Sequence, residues 1–201
     1  MTADETPAAP MPSPPRGLPK IVWVIPAAAV VIVAMILFRS AYGPLIRPRG
    51  GQGFQPRPAP AVVLTDQHGK RHRTARYLGR RKLIVLFFDG RSDPDDVRPL
   101  AMLRDGLPQI RAAEAEVVAI SSAPPETIAQ QGGGSIPFPI LADVDYAVHG
   151  QWGVSLPENG PLLPVLFLVD TDGVIRRSQV FGSPGAPIDL PQLLKDVEQL
   201  P

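Results

Sequence analysis

Cysteine is absent from all 201 residues. That excludes disulfides, thiolate metal sites and any cysteine nucleophile. It does not fix a compartment, because a cysteine-free chain tolerates either redox poise. An excess of one charge is also lacking. Twenty Lys and Arg against nineteen Asp and Glu leave a net charge of +1, so the whole molecule is not an obvious polyanion binder. Proline and glycine, by contrast, are plentiful. The 26 prolines and 18 glycines are more than one compact domain needs, and they concentrate near the N-terminus. The 44% hydrophobic content suffices for one ordinary domain plus extra segments.

Residues 1–20 carry six prolines and almost no apolar bulk. Such a segment buries too little surface to offset its ordering entropy and is expected to be disordered. Residues 21–38, "IVWVIPAAAVVIVAMILF", contain no charge. They are long enough to span a bilayer core, near the short end of the range. Lys20 and Arg39 bracket the run, and Trp23 sits at interface depth. Pro26 falls in the first two turns, where it disturbs a helix least. A buried core helix would show a polar stripe and a cleaved leader a small-x-small site; neither pattern is present. A single-pass anchor is therefore expected here. Residues 39–60 add further prolines and glycines and read as a tether, with the folded domain expected over 61–201. Arg39, Arg47 and Arg49 follow the apolar run closely, and Arg16 and Lys20 precede it, a count that leans towards a cytoplasmic C-terminus.

Within 61–201 the pattern alternates. "AVVLTDQHGKRHRT" predicts two strands around a turn at Gly69. "TARYLG" predicts a helical turn with Thr74 as cap. "LIVLFF", residues 83–88, is a continuous apolar run, as in a central strand buried on both faces. A helix should follow, with Asp93 as N-cap, Pro94 first, and Asp95 and Asp96 complementing its positive end. Val97, Leu100, Met102, Leu103 and Leu107 supply its apolar side, and Gly106 and Pro108 should break or bend it. "EVVAIS" predicts a second buried strand, "PPETIAQQ" a helix ended by "GGGS", and "FPIL" a short extended piece. "DVDYAVHGQWGV" predicts a helix capped by Asp143. "PVLFLVDTDGVIRRSQVFG" is a hairpin with an Asp-Gly turn, and "DLPQLLKDVEQL" an amphipathic helix. The expected class is α/β, a mixed central sheet covered by helices.

The strings "LTDQHGKRHRTARYLGRRKLIVLFFDG", "AEVVAISSAPPETIAQ", "FPILADVDYAVHGQWGV" and "PVLFLVDTDGVIRRSQ", in this order, resemble the redoxin group of thioredoxin-like folds. Within it, they resemble the peroxiredoxins of the alkyl hydroperoxide reductase/thiol-specific antioxidant type. The resemblance covers residues 61 to the end and implies a thioredoxin-like fold from an oxidoreductase family. In that family the loop after the central strand reads Pro-x-x-x-Thr-x-x-Cys. Laid on this chain, it places Asp89 at the proline, Asp93 at the threonine and Asp96 at the cysteine. The family's arginine before the late hairpin is replaced by Leu163 and Pro164, and Pro164 is the match to the cis-proline of thioredoxin-like domains. Peroxide cleavage of this kind needs a thiolate that cycles through sulfenic acid. A carboxylate at Asp96 has no such cycle, so the loop is read as a helix start without redox chemistry.

Lys70, Arg71, Arg73, Arg76, Arg80, Arg81 and Lys82 form a run with no acid between them. It reads first as a solvated hairpin and loop; the alternative is attraction to anionic headgroups or an acidic partner. Tyr77 is the only aromatic nearby, and nucleic acid is not expected as a partner. His68, His72 and His149 lack carboxylate partners at ligand spacing and read as exposed or capping, so no metal is expected. Asp143 and Asp145 read as a helix start. "DTDG" lacks the remaining ligands of a calcium loop, "GGGS" lacks the Lys of a phosphate loop, and Ser121 and Ser122 show no triad partners. No cofactor is expected. The functional expectation is a membrane-anchored pseudoenzyme that binds another membrane or redox protein; the alternative is an antioxidant oxidoreductase that works without its own thiol or through a partner's. Membrane-tethered relatives of the fold face away from the cytoplasm, and the globular part is expected on that side.

Overall fold

A computed structural model describes residues 54–91, 96–157 and 160–201. The expected tail, apolar span and most of the tether lie outside the described residues. Among the described residues no helix is long and apolar enough to cross a membrane.

The central strand β4 (Lys82–Phe88) shows why its sequence is apolar throughout. Ile84, Leu86 and Phe88 enter one hydrophobic cluster, Leu83, Val85 and Phe87 the other, and all six are buried. A strand covered on both faces has no solvent side on which to place polar residues. β5 (Ala115–Ser121) lies parallel to β4, and β6 (Ile140–Ala142) parallel to β5. Parallel neighbours need crossovers. The first is made by α1 (Arg98–Asp105) and α2 (Leu107–Ala112), the second by α3 (Pro125–Gln130). The break between α1 and α2 falls at Gly106, as the Gly106 and Pro108 pair predicts.

The sheet is completed by β1 (Arg57–Pro58), the hairpin β2 (Val63–Asp66) and β3 (Arg71–Arg73), and the hairpin β7 (Val165–Val169) and β8 (Val174–Val180). Among the described residues its order is β1-β8-β7-β4-β5-β6-β2-β3 over eight strands. The mixed sheet is that of the expected thioredoxin-like class. β1 was not foreseen: the chain enters the sheet at Arg57, ahead of Ala61, by pairing with Val174 and Ile175. Two residues inside a proline-rich stretch carry no strand pattern to read.

One face is covered by α1, α2, α3 and α5 (Leu190–Glu198), through Leu100, Leu103, Ile110, Ile128, Leu193 and Val197. Asp189 caps α5 by accepting from Gln192 N at 3.0 Å. Lys82 Nζ donates to the Val197 carbonyl at 2.9 Å, placing a cation at that helix's negative end. The other face is covered by α4 (Ala147–Gln151) and the chain leading into β2, through Val62, Val148, Trp152 and Val154. The 3-10 turn Thr74–Tyr77 begins at the expected threonine, but Thr74 does not cap it. Its Oγ1 accepts from Val62 N at 3.1 Å, tying the turn to β2's approach.

Candidate functional site: a redox loop without sulfur

β4, β5 and β6 end on the same side of the sheet, the edge where open α/β folds place their ligands. Asp89 ends β4, Ser121 and Ser122 end β5, and Asp143 follows β6. Asp89 is 5% exposed. Its Oδ1 accepts from Arg91 N at 3.1 Å and its Oδ2 from Leu162 N at 3.2 Å. The carboxylate therefore stitches the start of the loop to the segment that enters β7. Gly90 N donates to Ser122 Oγ at 3.0 Å, and Ala123 N to Ser121 Oγ at 3.2 Å. A Cβ on Gly90 would lie 2.2 Å from Ala123 N, so the close approach of the two loops demands glycine there.

The expected helix start needs correction. Asp93, with Pro94 and Asp95, lies outside the described residues. Asp96 is exposed and precedes α1, which begins at Arg98 with Val97 as N-cap and no acid in its first turn. Val97 is 1% exposed and enters the same hydrophobic cluster as Leu100 and Leu103 of that helix. No cis peptide bond occurs among the described residues, and Pro164 is a buried trans proline beside exposed Leu163. No arginine stands at these two positions.

The histidines depart furthest from expectation. His149 is wholly buried, and its Nδ1 donates to Asp143 Oδ2 at 2.6 Å. Asp143 also accepts from Val148 N at 3.1 Å and His149 N at 2.8 Å. It thus caps the first turn of α4 from outside, while Tyr146 holds the N-cap position. Burial pushes the imidazole of His149 below its ordinary value, against the upward pull of Asp143 and Asp89. Burial pushes Asp143 up, but the hydrogen bonds from His149 and Val148 outweigh it and leave the carboxyl below its usual range. His149 Nε2 and Trp152 Nε1 have no hydrogen-bond partner among the described residues, and the Phe87 ring packs against both side chains, with centroids 5.0 and 5.5 Å away. His72 Nε2 lies 2.7 Å from Asp66 Oδ2, so it too has a carboxylate partner, across the β2–β3 hairpin. The spacing Asp143-x5-His149 across a short helix start was the available signal for the buried pair.

Chemically, the edge holds carboxylates, hydroxyls and a shielded imidazole. Asp89 has both oxygens engaged with backbone donors, and His149 has no solvent-exposed surface from which to exchange a proton. Among the described residues no group of three His, Cys, Asp or Glu could hold a metal ion.

Residues 56–178 match the model of the AhpC/TSA family. The chain belongs to that family. A Mycobacterium tuberculosis protein assigned as a peroxiredoxin is 33% identical over 128 residues, 60% of this chain and 81% of the relative. Alkyl hydroperoxide reductase E of Mycobacterium bovis is 31% identical over 127 residues, covering 61% of this chain and 82% of the relative. Among solved structures, the peroxidoxin BcpB of Mycobacterium tuberculosis superposes with a TM-score of 0.59 at 19% identity, over 71% of this chain and 94% of that one. Peroxiredoxin Q of Xanthomonas campestris gives a TM-score of 0.58 at 16% identity, over 68% and 90%. These likenesses show the thioredoxin-like fold. This AhpC/TSA member contains no cysteine at any position, so the absence of the peroxidatic thiol does not depend on how the loop is aligned.

Proposed function

We propose that this chain is a membrane-tethered, peroxiredoxin-like domain that works by binding and has no thiol chemistry of its own. In this reading residues 21–38 anchor it, the globular part lies on the extracytoplasmic side, and its partner is another membrane or redox protein. The observation that carries the non-catalytic reading is the absence of cysteine from a chain whose family fold is otherwise kept. A thiolate attacks peroxide oxygen because sulfur is polarisable and forms a recyclable sulfenic acid. A carboxylate offers neither property, and Asp89 is in addition consumed as a loop stitch.

The test is peroxide consumption by the purified full chain in detergent, with a heat-killed control. No turnover is expected in the absence of an added thiol protein, and unaided turnover would defeat the proposal. Turnover that appears only with an added thiol protein shifts the reading to a partner-dependent oxidoreductase. Resistance to alkaline extraction tests the anchor, and protease protection in intact cells tests the side.

A further inference from the structure

We propose that the basic segment carrying Lys70, Arg71, Arg73, Arg76, Arg80 and Arg81 docks the folded domain on an anionic lipid surface, with Leu78 entering the headgroup layer. All six cations are exposed. The ion pairs formed among the described residues go to other groups. The only acid between Val63 and Lys82 is Asp66. It is 4% exposed and turned inward, accepting from His68 N, Lys70 N and His72. The surface charge is therefore uncompensated from within its own segment.

Protection of an edge strand accounts for part of this pattern. β3 ends the sheet, and charged side chains on an edge discourage pairing with other chains. That explains Arg71 and Arg73. It does not explain Arg76, Arg80 and Arg81, which lie off the strand. Nor does it explain Leu78, which is 47% exposed and lies between Arg76 and Arg80 in the chain. An apolar side chain flanked by arginines is the composition of an interfacial membrane contact. Val63, the cross-strand partner of Arg73, adds a second exposed apolar residue at 41%.

The surface is also held in place. Gly79 N donates to Thr171 O at 2.7 Å, and Arg80 N and Arg81 N donate to Tyr77 O at 3.1 and 3.0 Å. The segment therefore presents its charges on a fixed frame. Tyr77, the one aromatic in it, is half-buried and lies 5.4 Å below the Arg76 guanidinium, so it offers no stacking platform for a nucleobase. A bilayer is the occupant at hand on the membrane reading, from which this inference takes its setting. Residues 39–56 separate the apolar run from Arg57 by no more than about 70 Å of fully extended chain.

The test uses residues 54–201, the span that holds the described residues of both hydrophobic clusters. The domain is sedimented with vesicles of phosphatidylcholine alone or with roughly 30% phosphatidylserine, at low and high salt. Binding is expected only with phosphatidylserine and should fall with salt. The triple variant R73E/R76E/R80E should lose roughly tenfold or more in affinity. Its melting temperature should be unchanged, since all three side chains are exposed. Leu78→Ser should weaken binding without changing its salt dependence. Equal binding to both vesicle types, no binding to either, or a triple variant that binds like the parent overturns the proposal. So does arginine-dependent binding to a single-stranded oligonucleotide with none to vesicles. Because the tested piece lacks residues 21–38, its result stands apart from the alkaline extraction that tests the anchor.

Discussion

His149 and Asp143 meet through a 2.6 Å hydrogen bond between side chains that are both 0% exposed. The imidazole stays neutral because burial disfavours its charged form more than the two nearby carboxylates favour it. Its folded pKa therefore lies below the unfolded value of 6.5. Below that value the unfolded chain binds a proton that the folded chain does not, so stability rises with pH through this window. Its contribution is full above 6.5 and is lost as pH falls towards the folded pKa. Thermal melts between pH 7 and pH 5 should show a declining midpoint in the parent and a flatter line in His149→Gln. Parallel lines would sink this account.

The Asp143 carboxylate satisfies three donors: the backbone N–H groups of Val148 and His149 and the His149 ring. Asp143→Ala leaves all three buried and unpaired, with an expected loss of about 3–5 kcal/mol. Asp143→Asn keeps an acceptor and should lose less. Urea denaturation of the two variants checks the order, which a purely steric role for the side chain would not produce.

Where burial is regular, the sequence was a sufficient guide. β4 was legible because every residue of "LIVLFF" faces one cluster or the other, and the α1–α2 break because Gly106 and Pro108 punctuate an apolar stripe. Asp143 was legible as a cap, though not as a partner of His149, because a ring on a helix start gives no sign of which way it points. α1 begins at Arg98 with buried Val97 at its N-cap position, a start that local capping preference does not signal. β1 was illegible: Arg57 and Pro58 join the sheet through β8, a relation with no local signature.

Gly90 marks the place where the β4 and β5 loops touch. Its missing Cβ would sit 2.2 Å from Ala123 N and 2.6 Å from Ala123 Cβ. Neither atom can swing away, because Ala123 N is held by Ser121 Oγ. Gly90→Ala should cost about 1–3 kcal/mol through forced backbone displacement. Exchange protection of the Gly90 amide, which donates to Ser122, would report whether the loss is local to these loops.

Restoring sulfur should not restore the reaction. Asp96→Cys places a thiol on an exposed position ahead of α1, so it should react readily with aromatic disulfide reagents. Its pKa should stay near the free value of about 8.5. The helix field fades beyond the first turn, and position 96 lies two residues short of Arg98. Leu163 and Pro164 supply no charge to favour the thiolate. The expected peroxide rate is that of a free thiol in solution, without saturation. Stopped-flow measurement of Asp96→Cys against peroxide decides the matter. A saturable rate far above the free-thiol value would mean that the loop has kept the geometry for peroxide activation and lost only the sulfur.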